Sequence, residues 1–477
     1  MLHPTSHKAD TPVDTPVETL IARARQAQAE FEANGSQARF DRAAKAAAWA
    51  IMEPSRNAEL AELAVRTTGL GNVPDKITKN HRKTLGLMRD IATVQTFGIL
   101  SDDPATGITE IARPLGVIGA VVPSTNPAAT PANNVINALK CGNAIILSPS
   151  PKGMACCERL IEFIHAEFDK IGENPALVQM IPPPGNKADT QRLLELADLA
   201  VVTGSQDNVR RAYSSGTPAI GVGVGNVTVI VDETADLAAA AGKIAASKTF
   251  DNATSCSSEN ALVVVDAVYD EFVAALAAEG GALVAQSQAA GIVERLWPDG
   301  RHLSREVIAK DADVLIDKLG LRGTVPEGTR FVAVETDGIG PEHPLSREKL
   351  SRVAALYRAR DYDHAVELTR RILLHQGAGH SLGLHSRDPL RPVDLGLRLP
   401  TCRVIVNQAH CFATGGAFDN GMPFSLSMGC GSWGGNSIDD NLHWRHFTQR
   451  TRVVRPIPPQ QPTVEAIFAD YWAEAGK

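Results

Sequence analysis

Apolar residues in the N-terminal part of the chain recur every three to four positions, the spacing of one face of an α-helix. Residues 17–34, 37–52, 57–68 and 75–93 follow this pattern and are mostly rich in alanine, which predicts a helical N-terminal layer. Residues 1–14 are instead rich in Thr, Pro, His and Asp, and we expect them to form a flexible tail.

Short apolar runs separated by helical stretches dominate the chain from Gly116 onward. Bounded by turn residues, such runs indicate buried β-strands. Strands are predicted at 96–100, 108–113, 117–122, 144–147, 176–181, 199–202, 227–231, 262–265, 331–335, 350–357, 381–385, 403–406 and 448–454. Because strands that alternate with helices form mostly parallel sheets, we predict an α/β fold with helices on both sheet faces. Ligands then bind beyond the carboxyl ends of the strands.

Cys256 lies in a loop of small polar residues between a predicted helix, 237–248, and the strand 262–265. Such a loop can bring a sulfur close to a substrate. The reactive form of cysteine is the thiolate, which nearby backbone dipoles or cations favour. Cys256 is therefore a candidate nucleophile, and the alternative is a buried structural cysteine, the commoner role of a free cysteine.

The composition is that of an ordinary globular protein: 44% hydrophobic and 21% charged residues, with a net charge of −7. The charge gives no reason to expect nucleic-acid binding. The seven cysteines are irregularly spaced without a CxxC pair, so we expect a reducing compartment, no disulfide framework and no metal site. Because neither a secretory signal nor a membrane-length apolar run is present, we expect a cytoplasmic protein without membrane association.

Four further features allow both an ordinary and a functional interpretation. The GxGxG of residues 221–225 runs into a strand, so it lacks the phosphate-binding geometry of a dinucleotide fingerprint. Residues 203–205 (Thr-Gly-Ser) begin a helix whose N–H groups could hold pyrophosphate, although an N-cap is the ordinary role. Asn126 could donate to an oxyanion or only form an Asn-Pro turn. His380 is more often a satisfied loop histidine than a catalyst.

Six motifs in a fixed order give the chain a family resemblance. They are residues 123–127, 203–205, 212–218, 248–256, 348–351 and 429–437. With these motifs, residues 15–455 resemble the aldehyde dehydrogenase superfamily in its CoA-acylating branch, and within it the enzymes that act on sulfoacetaldehyde.

The resemblance implies two Rossmann-like α/β domains and a small oligomerisation element. The nucleotide-binding domain would comprise residues 15–231, including the helical layer, and the catalytic domain residues 232–440. Residues 441–477 would form the C-terminal oligomerisation segment of a homodimer or homotetramer, with a linker at 456–462 and a helix at 463–475.

The resemblance also implies which residues form the catalytic and cofactor-binding sites. It places the nucleophile at Cys256, and it places the oxyanion donors at the Asn126 amide and the Cys256 backbone N–H. NADP or NAD would bind Pro123, Ser124, Thr125, Ser148, Ser150, Lys152, Gly204, Ser205, Gly221 and Glu348. Arg352 stands where relatives usually have proline, which leaves the shape of the neighbouring loop open.

The implied reaction oxidises a small aldehyde to its acyl-CoA through a cysteine thioester, with hydride passing to NAD(P). Sulfoacetaldehyde is the expected aldehyde, in either direction, and His410 is the candidate contact for its anionic head. Acylating succinate-semialdehyde or acetaldehyde dehydrogenase, a non-acylating aldehyde dehydrogenase, and a binding protein without catalysis are the alternatives.

Two local features refine this hypothesis. The turn at 148–152 has no carboxylate to repel a 2′-phosphate, and Lys152 could pair with one, which favours NADP; a solvated lysine is the alternative. Hydrolytic relatives carry a general-base glutamate whose position falls on Gly221 here. Because glycine cannot accept a proton, CoA is the expected acyl acceptor instead of water, unless Glu348 or Glu259 supplies the base.

Overall fold

The computed structural model describes residues 16–477, so the tail predicted at 1–14 lies outside the described residues. The helical N-terminal layer is confirmed. It consists of α1 (Pro16–Ala33), α2 (Gln37–Met52), α3 (Pro54–Thr68) and α4 (Val73–Ile91), followed by the strands β1 (Gly98–Asp103) and β2 (Ile108–Pro114). Helix α2 begins where the Ser36 hydroxyl accepts a hydrogen bond from the Arg39 N–H, and α4 begins in the same way at Asn72.

The first α/β unit is a five-stranded parallel sheet. Its elements are β3 (Val117–Val122), α5 (Ala129–Lys140), β4 (Ala144–Pro149), α6 (Met154–Ile171), β5 (Val178–Met180), α7 (Lys187–Leu196), β6 (Leu199–Thr203), α8 (Gln206–Tyr213) and β7 (Ala219–Val222). The strand order is β5-β4-β3-β6-β7. The chain therefore adds strands first on one side of β3 and then on the other, and a ligand crevice forms at the carboxyl ends of β3 and β6.

The second unit is a seven-stranded parallel sheet of order β10-β11-β12-β9-β8-β13-β14. Its elements are β8 (Val227–Val231), α9 (Leu237–Thr249), β9 (Glu259–Val265), α10 (Tyr269–Ala278), β10 (Gly281–Val284), α11 (Ala289–Leu296), α12 (Ala312–Lys318), β11 (Phe331–Glu335), β12 (Val353–Ala359), α13 (Tyr362–His375), β13 (Leu382–His385), α14 (Arg391–Arg398), β14 (Val404–Val406) and α15 (His410–Ala413). Buried apolar clusters cover both faces of this sheet.

One predicted boundary is wrong. Strand β8 pairs in parallel with β9 and β13, so residues 227–231 belong to the second sheet and the division falls before this strand. All five residues of β8 are buried, so the strand needs neighbours on both sides. An apolar run in the sequence predicts this burial, but it does not indicate which of the two sheets provides the neighbours. Two strands were not predicted: β7, which contains Gly221, and β10.

The C-terminal segment is exposed along most of its length. It contains β15 (Thr448–Val454), which pairs with β2 in an antiparallel three-stranded sheet of order β1-β2-β15, and α16 (Val464–Ala475). Both elements agree with the prediction. A search of the described helices finds none with the length and apolar character needed to cross a bilayer.

The two large sheets contribute opposite ends to the space between them. Pro123 follows β3 and Gly204 follows β6, at carboxyl ends of the first sheet. Cys256, Glu348 and His380 instead precede β9, β12 and β13, at amino ends of the second sheet. The prediction that the ligand site lies beyond the carboxyl ends of the strands therefore holds for the first sheet and not for the second.

Helix α4 is held in place at Gly86, where an added Cβ would overlap the fully buried ring of Phe424. We expect Gly86→Ala to lower the free energy of unfolding by about 1–3 kcal/mol, although alanine normally favours a helix. Gly396→Ala in α14 is the matched control, because an added Cβ there meets nothing within 4 Å. The control should be stabilised by about 0.5–1 kcal/mol. Thermal or denaturant unfolding measures both, and a Gly86→Ala variant as stable as the parent would contradict this packing.

Candidate active site

A cavity of about 330 Å³ lies where the two large sheets meet. Its lining combines the cysteine loop, the turn after β3, one face of α4 and the segment before β12. The residues of these segments that line it include Lys79, Arg82, Lys83, Pro123, Thr125, Asn126, Thr254, Ser255, Cys256, Ser257, Glu348 and Leu350. The predicted nucleophile and the predicted oxyanion donor therefore share one cavity.

The loop that carries Cys256 begins with a left-handed turn. Asp251, Asn252 and Ala253 have φ angles of 48°, 54° and 61°, in a region that residues with a Cβ seldom adopt. The Asp251 N–H donates to Asp75 Oδ2 at 2.7 Å, and the Arg352 Nε–H donates to Asn252 Oδ1 at 3.0 Å. Arg352, which replaces the usual proline, thus helps to hold this turn in shape.

Asp251 forms a buried ionic cluster with two lysines of α4. Its Oδ2 lies 3.1 Å from Lys76 Nζ and 2.5 Å from Lys79 Nζ, and the Thr254 hydroxyl donates to the same oxygen. Burial alone would raise the pKa of Asp251, but the charges of Lys79 and Lys76 and these hydrogen bonds lower it. The carboxylate is therefore ionised beside the nucleophile loop.

The same cluster orients Asn126. Lys79 Nζ donates to Asn126 Oδ1 at 3.1 Å, and an ammonium group can only donate. The amide oxygen must therefore face Lys79, which leaves the Asn126 Nδ2–H₂ group free to donate within the cavity. This is the orientation that an oxyanion donor requires.

The Cys256 thiol lies 3.4 Å from Nε2 of His380, whose Nδ1 lies 2.7 Å from the Ser381 hydroxyl. Burial raises the pKa of Cys256 to about 12, with a further contribution from Glu348. Burial lowers the pKa of His380 to about 3, so the imidazole is neutral. The thiol is thus protonated at rest, contrary to the expectation of a cation-favoured thiolate, and it has a proton acceptor beside it.

His380 is therefore more than a satisfied loop histidine. It stands 124 positions from Cys256 in the sequence, and its short Gly-Ala-Gly-His-Ser context gave no sign of the contact. Only the pairing of β13 with β8, next to β9, brings the two residues together.

Glu348 lines the cavity with its carboxyl group buried. Burial raises the pKa of Glu348 to about 8, although Lys248 and Lys349 oppose the shift. Its Oε1 has no hydrogen-bond partner within residues 16–477. Glu348 is therefore mostly protonated at neutral pH and keeps an oxygen available to a ligand.

A second cavity, of about 480 Å³, continues the first along the carboxyl edge of the five-stranded sheet. The two share Pro123, Thr203, Gly204 and Ser205. Of the predicted cofactor residues, those that line the second cavity are Pro123, Ser124, Ser148, Ser150, Gly204 and Ser205, while Thr125 and Glu348 line the first. Together they form one continuous cleft.

The N-cap interpretation of Ser205 holds, since its hydroxyl accepts from the Asn208 N–H at 3.4 Å. The same residue lines both cavities, so capping helix α8 and facing the cleft are compatible.

Lys152 does not line the cleft. It is exposed on the turn Pro151–Gly153, whose first residue, Pro151, lines the second cavity. The basic residues that line the second cavity are Lys187, at the start of α7, and Arg211, in the last turn of α8. The assignment of Lys152 as the partner of a 2′-phosphate therefore stays a prediction.

Gly221 also lies outside both cavities. An added Cβ on it would lie 2.6 Å from Val209 Cγ1 and 3.2 Å from the Tyr213 ring, because it belongs to the buried strand β7. A glutamate at this position would point at helix α8 and not at Cys256. Gly225 is the glycine that matters here, since an added Cβ would come within 3.1 Å of Cys256 Cβ.

His410 is buried beneath the cysteine loop and does not line the cavity. Its Nδ1 lies 2.9 Å from the Ser257 carbonyl oxygen and 2.9 Å from the Thr414 hydroxyl. Burial lowers the pKa of His410 to about 4, so it is neutral. It therefore supports the loop and cannot bind the anionic head of a substrate.

Asp440, His443 and His446 form a separate cluster of possible metal ligands away from the cleft. Both histidine Nε2 atoms contact the Asp440 carboxylate, at 3.1 and 3.0 Å, and both Nδ1 atoms accept backbone N–H groups. Neutral histidines satisfy all these contacts without a cation.

The pH dependence of Cys256 labelling tests its pairing with His380. If His380 accepts the thiol proton during the reaction, iodoacetamide labelling of Cys256 should change little between about pH 6 and 9, because an imidazole with a pKa of about 3 stays neutral throughout this range. In His380→Ala, Cys256 can react only after it has ionised to the thiolate. Its labelling should be about 100-fold slower at neutral pH and rise about tenfold per pH unit.

Peptide mass spectrometry follows Cys256 among the seven cysteines, and it should be the fastest of them. His302→Ala is the control, because His302 is exposed and contacts Asp299. The same pH profile in the parent and in His380→Ala would contradict the assignment of the base.

The chain is similar to known proteins over most of its length. The model of the aldehyde dehydrogenase family matches residues 8–291. A sulfoacetaldehyde dehydrogenase (acylating) of Cupriavidus necator is 56% identical over 461 residues, 97% of this chain and 93% of that protein. Another, of Bilophila wadsworthia, is 39% identical over 97% of this chain and 99% of that protein.

Among solved structures, an acetylating aldehyde dehydrogenase from Geobacillus thermoglucosidasius superposes with a TM-score of 0.89 at 32% identity, covering 94% of this chain and 98% of that one. The fold, the arrangement of the cysteine loop and these similarities lead to one conclusion: the chain belongs to the aldehyde dehydrogenase family.

Proposed function

We propose that the protein oxidises sulfoacetaldehyde to sulfoacetyl-CoA with NADP, or catalyses the reverse reaction. The observation that carries this proposal is the Cys256 thiol, which lies 3.4 Å from a neutral imidazole and shares with the Asn126 amide a cavity that continues into a second one. The names of the relatives that are similar over nearly the whole chain support the choice of aldehyde.

His380 accepts the thiol proton through Nε2 as Cys256 Sγ attacks the aldehyde carbon. The Asn126 Nδ2–H₂ group and the Cys256 backbone N–H donate to the oxygen, which becomes negative. Losing one such donor typically raises the barrier by about 3–4 kcal/mol. Once the carbon has lost its hydride, for which bound NAD(P) would supply the acceptor, the acyl group rests on Cys256 as a thioester. The CoA thiol then takes the acyl group, and Cys256 regains its proton.

The cleft suits a dinucleotide. Ser150 Oγ is buried without a hydrogen-bond partner in the described chain, and an added Cβ on Gly204 would meet nothing closer than 3.8 Å. NAD(P) would lie along Ser148, Ser150, Gly204 and Ser205 and would supply the hydride acceptor. Glu348, with its free carboxyl oxygen, would face the nicotinamide end.

CoA is the better acyl acceptor because the cavity offers water no largely ionised carboxylate as a base, and His380 is assigned to the Cys256 thiol. Glu348 is the single carboxylate among the described lining residues, and its pKa of about 8 keeps most of it protonated at pH 7. Glu259 is buried and does not line the cavity. A thiol is a stronger nucleophile than water and needs less help from a base.

Steady-state NAD(P)H formation with and without CoA tests this proposal. We expect sustained turnover only with CoA, and a burst of about one equivalent per subunit without it. Sustained turnover without CoA at a similar rate would contradict the acylating assignment. If Glu348→Gln abolished that turnover, Glu348 would be the hydrolytic base and the protein a non-acylating aldehyde dehydrogenase.

The surroundings of the second cavity favour NADP over NAD. None of its described lining residues is Asp or Glu, so no carboxylate there would bind the ribose hydroxyls of NAD or repel a 2′-phosphate. Lys187 and Arg211 line it, and neither forms an ion pair with a described residue. These two cations, in place of Lys152, are our proposed partners of the 2′-phosphate.

Lys187→Gln should lower kcat/KM for NADP by about tenfold and leave the value for NAD within about twofold. Lys152→Gln, on the neighbouring turn but outside the cavity, is the matched control and should change neither value. Initial rates with both cofactors measure this. A parent enzyme that prefers NAD by kcat/KM would refute the proposal.

The proposal extends to the domains and the assembly. The five-stranded sheet would form the nucleotide-binding domain and the seven-stranded sheet the catalytic domain. In residues 441–477, β15 occupies the edge of its sheet, and α16 exposes Ile467, Phe468 and Tyr471. An open strand edge beside exposed apolar side chains suits contacts within a homodimer or homotetramer.

A further inference from the structure

Three cations of α4 face the active-site cavity. Arg82 and Lys83 lie three and four positions after Lys79, so all three side chains lie on one face of the helix. Lys79 pairs with Asp251, a carboxylate that it shares with Lys76. Among the described residues that line the cavity, Glu348 is the one acidic residue that could balance the charges of Arg82 and Lys83. Burial keeps its carboxyl group mostly protonated.

Arg82 has no protein partner for its charge. Within residues 16–477 its guanidinium makes no hydrogen bond and no ion pair, and its Nε is buried without a partner. A buried donor without an acceptor is unfavourable by about 1–3 kcal/mol in typical proteins. Such a group therefore points to an acceptor that arrives with a ligand.

Aromatic rings hold Arg82 in position. Its Cζ lies 5.2 Å from the centroid of the Phe412 ring and 5.6 Å from that of Phe418. These contacts orient the guanidinium without neutralising it, and they leave its hydrogen-bond donors unused. Phe412 also lines the cavity, so the Arg82–Phe412 pair belongs to the wall that a substrate meets.

Lys83 adds to the positive character of this wall. It is buried, its Nζ donates to the Gly415 carbonyl oxygen at 2.6 Å, and none of the described carboxylates pairs with it. Burial lowers the pKa of Lys83 to about 7, so it carries its charge only part of the time at neutral pH. An aldehyde with an anionic head would therefore meet the full, uncompensated charge of Arg82 and a partial charge on Lys83.

We propose that Arg82 is the residue that selects an anionic aldehyde, by binding the sulfonate of the substrate through its guanidinium. This inference rests on the proposed function and takes the place of the incorrect assignment to His410. Sulfonate oxygens accept from the planar guanidinium fork in the way that carboxylate and phosphate oxygens do. A neutral aldehyde would leave the buried Nε unsatisfied and is disfavoured for that reason.

The test compares sulfoacetaldehyde with propionaldehyde, a neutral aldehyde of similar length, in the presence of CoA and NADP. In Arg82→Gln the ratio of the two kcat/KM values should fall about 100-fold, mostly through KM for sulfoacetaldehyde. Arg89→Gln is the matched control, because Arg89 lies on the same helix, contacts Phe418 and does not line the cavity. An equal loss for both aldehydes would show a structural role only and overturn the proposal, as would an unchanged ratio.

A second measurement keeps the proposal separate from the proposed function. Ethanesulfonate, an unreactive sulfonate, should slow iodoacetamide labelling of Cys256 in the parent and in Arg89→Gln, but not in Arg82→Gln. Absence of protection in the parent would refute the anion site. Protection that depends on Arg82 in a protein without CoA-dependent turnover would confirm the anion site and refute the proposed reaction.

Discussion

The buried ionic contact between Asp251 and the two lysines of α4 determines most of the active site. An isolated carboxylate at this depth would be protonated or excluded, and it is ionised only because Lys76 and Lys79 lie within 3.1 Å. The contact fixes the left-handed turn that begins the cysteine loop. Through Lys79 it also sets the orientation of the Asn126 amide. One electrostatic cluster thus places both the nucleophile loop and the oxyanion donor.

Burial controls the rest of the site, and here it suppresses charge. It raises the pKa of Cys256 and Glu348 and lowers that of His380, so all three are largely neutral before a substrate binds. A neutral thiol beside a neutral imidazole costs less free energy to bury than an ion pair would. Charge develops only when an aldehyde carbon accepts the sulfur and the Asn126 amide can stabilise the oxygen. Electrostatic interactions at that moment are strong, because little water screens them.

The sequence predicted the elements well and the directions of side chains poorly. Apolar runs identified nearly all strands of both parallel sheets, since a buried strand needs such a run whichever sheet it joins. The same fact explains the misplaced β8. Lys152 was assigned correctly to a turn near the cleft, whereas His410, expected in a loop, begins the short helix α15 and is buried. One or two residues decide whether such a side chain faces the cavity, and periodicity does not resolve that. His380 and Arg82 contact or line the cavity through tertiary packing alone, without a local signal.

The opposed ends of the two sheets explain why the nucleophile comes from a loop and not from a strand. The five-stranded sheet offers its carboxyl ends to a dinucleotide, where the turns after β3 and β6 diverge and leave a crevice. The seven-stranded sheet must then close that crevice from the other side, and it does so with the segments that enter its strands. Gly225 allows this approach, because a side chain there would collide with Cys256. The close approach leaves a small cavity around the thiol, in which one unpaired guanidinium is enough to distinguish an anionic aldehyde from a neutral one.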